Sequence, residues 1–238
     1  MTQVRGTPDW WIDEVAHAGE EHLDADYVAG YDRKAGHDPR ADLDALRQLG
    51  LDGESTLIDL GAGTGRLALA AAAVCRRVIA ADVSAPMLSR LRAAAERAGR
   101  TNVEVVRAGF LTYAHAGQPA DFVYTRHALH QIPDFWKAIA LTRIAEVLRP
   151  GGVLFLRDLI YTFEPSEAGE QLDAWLASAS PSAADGWTRQ ELATHVRTEH
   201  STFSWLLEPM IEKAGFQIRD ATPSRYPYAY AAYVCVKR

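Results

Sequence analysis

The sequence predicts an α/β fold with a doubly wound sheet, and three observations support this prediction. Short apolar runs typical of buried strands alternate with helical segments between residues 46 and 160, a glycine-rich turn follows the first strand, and unusual residues cluster after several strands. Alternating strands and helices form a parallel sheet with right-handed crossovers, which binds ligands outside the carboxyl ends of its strands. We therefore expect the functional site at that edge.

Composition favours a globular protein over a membrane or nucleic-acid-binding one. The 238 residues are 48% apolar, which is ordinary for a chain with a large buried core. The longest apolar run, residues 67–75, is too short to span a bilayer, and no signal-peptide core is present, so we expect a cytoplasmic protein without a membrane partner. Lysine and arginine total 25 against 31 acidic residues, and the positive charges are scattered, which disfavours nucleic acid as a substrate.

The glycine-rich turn is typical of a cofactor site. Residues 57–60 predict a strand, and Gly61, Gly63 and Gly65 follow at alternate positions, where the backbone takes positive φ or contacts a ligand through bare N–H groups. A turn without a ligand is the alternative. The nicotinamide fingerprint G-x-G-x-x-G needs a third glycine where this chain has Arg66, so a nicotinamide cofactor is disfavoured.

A second signal supports a ligand that contains adenosine. The apolar run that begins at Arg77 predicts another buried strand, and its carboxylate, Asp82, lies 21 positions beyond Gly61. A carboxylate at this strand end accepts hydrogen bonds from the two ribose hydroxyls of a nucleotide cofactor. Asp82 could instead cap the next helix, although Ser84, just before Ala85 and Pro86, fits that role better.

Two sets of residues resemble one known family. G-x-G-x-G with Asp59 two residues before the first glycine resembles motif I of the class I S-adenosylmethionine-dependent methyltransferases. Asp121 opening a strand, Leu129 and His130 beyond its end, and the run of residues 148–152 after the next helix resemble motifs II and III. The resemblance implies a Rossmann-like sheet of order 3-2-1-4-5-7-6 with strand 7 antiparallel, and an enzyme that uses S-adenosyl-L-methionine and releases S-adenosyl-L-homocysteine.

The family pattern divides the chain into four parts of one methyltransferase domain, residues 1–238. We expect an N-terminal helical cap at 1–45 and a cofactor-binding core at 46–160. An insertion after strand 5, at 161–208, would cover the substrate, and a closing helix and strands would follow at 209–238.

Local signals in the second half predict individual elements. Thr188 and Glu191 form a capping box that predicts the start of a helix. Residues 209–214 predict a short helix, and residues 216–220 and 228–236 predict an antiparallel pair.

The resemblance assigns cofactor contacts to the first strand ends and the cap. These are Asp59, Gly61, Ala62, Gly63, Gly65, Asp82, Val83, Met87, Gly109, Phe110, Arg126 and Tyr31. The family commonly has an acid that contacts the adenine amino group where this chain has Gly109. We therefore expect backbone groups near Gly109 and Phe110, with stacking by Val83, to hold the base. Tyr31 belongs to a segment resembling one that folds over the methionine end of the cofactor; simple packing of its ring is the alternative.

Three histidines are candidate general bases. His127 and His130 follow the fourth strand, and His200 lies on the expected cover. Each could instead cap a loop or fill a polar gap. A metal site built from the three is disfavoured, because no zinc-type spacing is present and Cys75 and Cys235 lie far apart.

The expected activity is methyl transfer to an O, N or C nucleophile of a small molecule by a monomer or homodimer. Aromatic residues in both expected cover segments favour a partly apolar acceptor. Two alternatives stay open: a non-catalytic module that binds S-adenosylmethionine or S-adenosylhomocysteine, and an NAD-dependent oxidoreductase, which Arg66 disfavours.

Overall fold

The computed structural model describes residues 8–238, so the first seven residues of the expected N-terminal cap lie outside the described part of the chain. Nine strands are assigned in this part: β1 (Thr56–Leu60), β2 (Arg77–Asp82), β3 (Val103–Arg107), β4 (Ala120–Arg126), β5 (Leu148–Asp158), β6 (Ile160–Tyr161), β7 (Thr202–Phe203), β8 (Phe216–Pro223) and β9 (Ala231–Lys237). Nine α-helices lie between and before them: α1 (Glu20–Leu23), α2 (Ala25–Ala35), α3 (Arg40–Gln48), α4 (Arg66–Ala71), α5 (Ala85–Arg97), α6 (Asp134–Val147), α7 (Ala168–Ala177), α8 (Arg189–Thr198) and α9 (Ser204–Lys213). Short 3-10 helices occur at Glu14–His17, Leu129–Gln131 and Pro165–Glu167.

The main sheet has the predicted topology. Seven strands lie in the order β3-β2-β1-β4-β5-β9-β8, with β1 to β5 parallel and β9 antiparallel to both of its neighbours. Because β9 is the seventh strand of this sheet in chain order, the predicted order 3-2-1-4-5-7-6 is confirmed. The chain reverses its direction of travel across the sheet between β1 and β4, which is the point where such sheets open a crevice for a ligand.

Both faces of the sheet are covered by helices. In β1 all five residues are buried; Leu57 packs with α3, α4 and α5 on one face, and Ile58 packs with α6 and α9 on the other. Burial on both faces is typical of a central strand in a parallel sheet. The carboxyl end of β1 therefore lies between the two helical layers.

The cap and the cover pack above the carboxyl ends of the strands. Helices α1 and α2 contact α5, while α7 and α8 enclose a third apolar cluster that includes Tyr161, Phe163 and Trp175. Helix α8 begins with the predicted capping box, in which the Thr188 hydroxyl accepts a hydrogen bond from the Glu191 amide and the Glu191 carboxylate accepts one from the Thr188 amide.

The structure differs from the predictions in two places after β5. Helix α9 begins at Ser204 rather than at residue 209, so Pro209 lies inside it. Leu207 and Ile211, four residues apart, are both buried against the core, and this burial stabilises the helix although the proline lacks an amide hydrogen. Strands β6 and β7 form a two-stranded parallel sheet that the sequence did not predict, because two residues are too few to show a period. Within residues 8–238 the structure has no helix with the length and apolarity needed to cross a membrane.

Candidate functional site

The three glycines of the turn between β1 and α4 have positive φ values of 74°, 54° and 83°. A Cβ atom on Gly61 would lie 2.3 Å from the Cβ of Ala128, and one on Gly65 would lie 2.4 Å from Cγ of Leu91. A Cβ atom on Gly63 would meet nothing within 4 Å. The first and last glycines therefore serve packing, and Gly63 presents its backbone to open space.

Asp82 is joined to this turn. One of its carboxylate oxygens accepts a hydrogen bond from the Gly63 amide at 2.8 Å, and the other accepts one from the Ser84 amide at 2.8 Å. The hydroxyl of Ser84 caps α5 by accepting the amide of Met87, as predicted, so Asp82 is not the cap. Burial raises the pKa of Asp82 despite these bonds. Each oxygen still has a lone pair for a ligand hydroxyl.

Asp59 lies beneath the turn. Its carboxyl group is 2% exposed and bonds to the amide of Ala68 in the first turn of α4. Burial, and then the charge of Asp82, raise the pKa of Asp59 to about 8. The amides of Gly61 and Ala62 both donate to the carbonyl of Ala81 in β2, which ties the turn to the neighbouring strand.

Helix α2 covers the turn from the N-terminal side. Asp32 accepts a hydrogen bond from the Thr64 hydroxyl at 2.5 Å, and Tyr31 lies close enough to Asp82 for that charge to act on it. Burial, followed by the charge of Asp82, raises the pKa of Tyr31 to about 12. The rings of His22, Tyr27, Tyr31 and Trp187 contact one another in sequence, and we call these four residues the aromatic wall.

Arg126, at the end of β4, belongs to a cluster of charged residues that the sequence did not predict. The buried Asp42 of α3 accepts a hydrogen bond from the Tyr124 hydroxyl at 2.6 Å and lies 3.4 Å from the Arg126 guanidinium and 3.2 Å from that of Arg157. One carboxylate thus faces two guanidinium groups. The excess positive charge at this strand end suits a ligand carboxylate.

The loop after β3 approaches the cap. The amide of Gly109 donates to the Thr112 hydroxyl at 2.8 Å, and Phe110 is buried. The carboxylate of Glu14, from the first 3-10 helix, fills the space next to Gly109. Nearby, Met87 is buried and Val83 is half-buried.

His130 is enclosed by two carboxylates. Its Nδ1–H donates to Asp158 at 2.5 Å, its backbone amide donates to the other Asp158 oxygen at 3.0 Å, and its Nε2 lies 2.9 Å from Glu199. Burial alone would lower the pKa of His130, but the charge of Asp158 and the hydrogen bonds to both carboxylates raise it to about 9. The imidazole is therefore protonated at neutral pH, and it links the sheet to α8.

Glu199 extends this network into the cover. It accepts hydrogen bonds from Gln131 at 3.0 Å and from Nδ1 of His195 at 2.7 Å. Ligand atoms of His130, His195 and Glu199 lie within 4.8 Å of one another, which is close enough for a metal ion. A metal would have to displace the proton that His130 shares with Glu199. Because His130 is already hydrogen-bonded to both Asp158 and Glu199, we assign the group to positioning rather than to metal binding.

The other two candidate histidines lie in different surroundings. His127 has a φ of 49°, which is uncommon for a residue other than glycine, and its ring packs edge-on against Tyr230. Burial, and then the charge of Arg126, lower its pKa to about 3, so this imidazole is neutral. His200 donates its amide to the His130 carbonyl at 2.9 Å, and its ring lies 5.8 Å from that of His17.

A groove on the surface lies away from the strand ends. This groove of about 580 Å³ runs along α6 and is lined by Phe135, Ile139, Arg143 and Met210 among others. We call it the α6 groove. It contains no predicted site residue and lies on the flank of the sheet rather than over its strand ends.

Comparison with known proteins identifies the family. Residues 57–152, which hold the glycine-rich turn, Asp82 and the His130 strand end, match a methyltransferase domain family. These residues form a methyltransferase domain of the class I S-adenosylmethionine-dependent type. An uncharacterised methyltransferase of Geobacillus kaustophilus is 26% identical over 207 residues, covering 87% of this methyltransferase and 85% of that one. The trans-aconitate 2-methyltransferase of an Azoarcus species is 32% identical over 170 residues, covering 66% and 63%.

Solved structures share the fold of this methyltransferase. A Bacillus halodurans structure described as a methyltransferase superposes with a TM-score of 0.60 at 23% identity, covering 77% of this chain and 72% of that one. Magnesium protoporphyrin IX methyltransferase from Synechocystis, solved with bound S-adenosylmethionine, superposes with a TM-score of 0.64 at 12% identity, covering 97% and 100%.

The predicted cofactor residues fall into three groups around the strand ends. The turn, Asp82 and Tyr31 lie together; Val83, Met87, Gly109 and Phe110 lie towards β3; and Arg126 lies at β4. Sequence reasoning missed Glu14, Asp42 and His195. The spacing of His195 and Glu199, four residues apart, was a usable signal, since such residues share one helix face. No local pattern marks Glu14 or Asp42.

Proposed function

We propose that this methyltransferase transfers the methyl group of S-adenosylmethionine to an oxygen, nitrogen or carbon nucleophile of a small, partly apolar molecule. The observation that supports the cofactor position is the open space over Gly63 beside the Asp82 carboxylate. A ligand there contacts bare backbone on one side and an acceptor for ribose hydroxyls on the other. The neighbouring glycines are blocked by Ala128 and Leu91, so Gly63 is the point of closest approach.

Residues on either side of Gly63 fit the rest of this cofactor. The guanidinium of Arg126 is positioned to bind the methionine carboxylate. The Asp42 carboxylate pairs with Arg126 and also with Arg157. Tyr31 closes the cleft above Asp82. When bound, S-adenosylmethionine supplies a methyl group already activated by its sulfonium, so the protein mainly has to align the acceptor and exclude water.

The aromatic wall supports a small acceptor. Its rings come from α1, α2 and the loop before α8, so the cap and cover meet over the cleft. Lys34 lies over the Trp187 ring at 4.6 Å and pairs with Glu191, which locks the two segments together. A closed aromatic lining suits a partly apolar molecule. A net charge of −6 is a poor match for a nucleic acid.

The histidines differ in what they can do for the acceptor. His130 already carries a proton at neutral pH and holds β4, β5 and α8 together, so we assign it a positioning role. His127 is neutral and lies at the same strand end, so its ring can accept a hydrogen bond from the acceptor, but a pKa of about 3 makes it too weak a base to take the proton efficiently. Amine, carboxylate or enolate acceptors need no base at all.

Labelled methyl transfer tests this proposal. The protein is incubated with methyl-labelled S-adenosylmethionine and, separately, with small-molecule, protein and nucleic-acid fractions of a bacterial extract. Label in the small-molecule fraction is the expected result. Label confined to protein or nucleic acid would refute the small acceptor. Binding of S-adenosylhomocysteine without label in any fraction would favour the non-catalytic alternative, and binding of NAD instead would refute the cofactor.

A further inference from the structure

A remote carboxylate occupies the volume beside Gly109. A Cβ atom built on this glycine would lie 2.3 Å from Oε1, 2.6 Å from Cδ and 2.8 Å from Oε2 of Glu14. The Glu14 carboxylate occupies the space that the side chain of a residue larger than glycine at position 109 would enter. The structure therefore places an acid where the sequence, read locally, has none.

Glu14 is held firmly in this position. Its Oε1 accepts the Leu111 amide at 3.0 Å, and its Oε2 accepts the Thr112 hydroxyl at 3.0 Å. The side chain is 6% exposed. Burial raises the pKa of Glu14, although the backbone bond from Leu111 opposes this rise. A buried acid is costly unless it is hydrogen-bonded, and every donor named here points at its carboxyl group.

The segment that carries Glu14 is docked rather than free. Asp13 caps its 3-10 helix by accepting the Val15 amide at 2.9 Å. Just before it, Trp11 and Ile12 pack against the main core, and the Trp11 ring meets that of Trp136 at 5.0 Å. The position of the carboxylate is therefore set by tertiary packing.

The order of the strands gives the position of Glu14 relative to the cofactor. In the proposed cofactor position the ribose meets Asp82 at the end of β2, and the methionine carboxylate meets Arg126 at the end of β4. The adenine then lies beyond β2, over the loop that follows β3. This loop is attached directly to the ribose site, because the amide of Ala108 donates to the carbonyl of Asp82 at 3.1 Å. The carboxylate of Glu14 packs against that loop through its hydrogen bonds to Leu111 and Thr112.

We propose that Glu14 accepts a hydrogen bond from the exocyclic amino group of the cofactor adenine, so that the N-terminal segment completes the adenine site. This inference rests on the proposed cofactor position. Each carboxylate oxygen can accept two hydrogen bonds, so the bonds from Leu111 and Thr112 leave capacity for a ligand N–H. A site built to accept an N–H discriminates strongly against an analogue that lacks it.

The test combines protein variants with a cofactor analogue. Affinities are measured by calorimetry for S-adenosylhomocysteine and for its analogue in which hydrogen replaces the adenine amino group. The proteins are the wild type, Glu14→Gln, Glu14→Ala and the double variant Glu14→Ala with Gly109→Asp. The backbone of Gly109 lies outside the positive-φ region, and the three atoms nearest to an added Cβ all belong to Glu14, whose carboxylate the double variant removes.

The wild type should prefer S-adenosylhomocysteine over the analogue by about 10- to 100-fold, as expected for one hydrogen bond to a charged group. Glu14→Ala should lose this preference by weakening only the natural ligand, and Glu14→Gln should keep part of it through its carbonyl oxygen. The double variant should regain the preference. Thermal unfolding checks that each protein is folded, and the conservative Glu14→Gln keeps the test valid if Glu14→Ala is unstable.

Two outcomes would overturn the inference. If Glu14→Ala or Glu14→Gln shows the full wild-type preference, Glu14 does not contact the amino group, while the cofactor site itself stands. If the wild type binds neither ligand, the proposed cofactor position fails, and the inference fails with it.

Discussion

Asp82 and Gly63 are joined across the ends of β2 and β1 by a hydrogen bond of 2.8 Å from the glycine amide to the carboxylate. The two residues that the cofactor is proposed to contact therefore form one unit. A change in the carboxylate alters the ribose contact and releases the backbone amide of the turn, so binding energy and turn geometry are coupled at this point.

Asp82→Ala should weaken binding of S-adenosylhomocysteine by about 1.5 to 3 kcal/mol or more, because hydrogen bonds to a charged acceptor are lost. Asp121→Ala is the matched control. Asp121 also caps the sheet, accepting the Thr56 amide at 2.9 Å and pairing with Arg149 at 2.7 Å, but at the opposite end of the strands. Titration calorimetry should give wild-type affinity for this control. Equal losses in both variants would contradict a ribose contact at Asp82.

Gly63→Ala should fold and lose cofactor binding. Its methyl group meets no neighbouring atom in the protein, and the positive φ costs about 1 to 2 kcal/mol of stability. Gly61→Ala should be far more destabilising, because its Cβ would lie 2.3 Å from that of Ala128. Thermal unfolding and S-adenosylhomocysteine binding are measured for both. If Gly63→Ala binds the ligand as the wild type does, the ligand does not approach this backbone.

The sequence predicted the parts of the site that are local in the chain. The glycine turn and Asp82 lie within one βαβ unit, so strand periodicity and loop chemistry were sufficient to place them together. The contact between Glu14 and Gly109 joins residues 95 positions apart, and the contact between Asp42 and Arg126 joins residues 84 positions apart. Such contacts depend on how the cap docks on the sheet, which no periodicity encodes. The protonated state of His130 was also hidden, because its partner Glu199 comes from the cover.

The ion pairs of His130 should make stability depend on pH. The folded-state pKa of about 9 exceeds the unfolded value of 6.5, so the stabilisation from His130 is complete below about pH 6.5 and is lost as pH rises through 9. The pKa values of Asp158 and Glu199 are lowered, so their stabilisation is present at neutral pH and is lost as pH falls into the acid range.

Denaturant unfolding of the wild type and His130→Asn at pH 6.5, 8 and 10 checks this expectation. The wild-type advantage should fall by on the order of 3 kcal/mol between pH 6.5 and 10. His115→Asn is the control, since the His115 ring bonds a tyrosine hydroxyl and a backbone carbonyl rather than a carboxylate. An advantage that is constant or grows with pH would contradict the ion pairs.

The rate should show no titration of His127 or His130 near pH 6.5. His127 is neutral down to about pH 3, and His130 stays protonated up to about pH 9, so neither changes charge between pH 5.5 and 8. With a hydroxyl acceptor, His127→Gln should lower turnover by less than the factor of about 10² to 10⁴ that a well-matched general base gives, because a pKa of about 3 makes His127 a weak base. His130→Gln should act mainly by loosening α8, with a rise in the acceptor KM.

The pH profile of turnover and cofactor affinity for both variants separates these roles. The wild-type turnover could instead fall as pH decreases through about 6.5. If His130→Gln abolishes this fall and leaves the acceptor KM unchanged, His130 is the base and its positioning role is contradicted.

Amide hydrogen exchange with and without S-adenosylhomocysteine tests the central claim most directly, because it reports where the cofactor binds. Bound ligand restricts the openings through which backbone amides exchange. Our account predicts slower exchange in three stretches, residues 61–66, 82–87 and 109–112, and unchanged exchange along the α6 groove, including Phe135, Arg143 and Met210. Protection confined to the α6 groove, or saturated binding with no protection in the first two stretches, would contradict a cofactor site at the ends of β1 and β2.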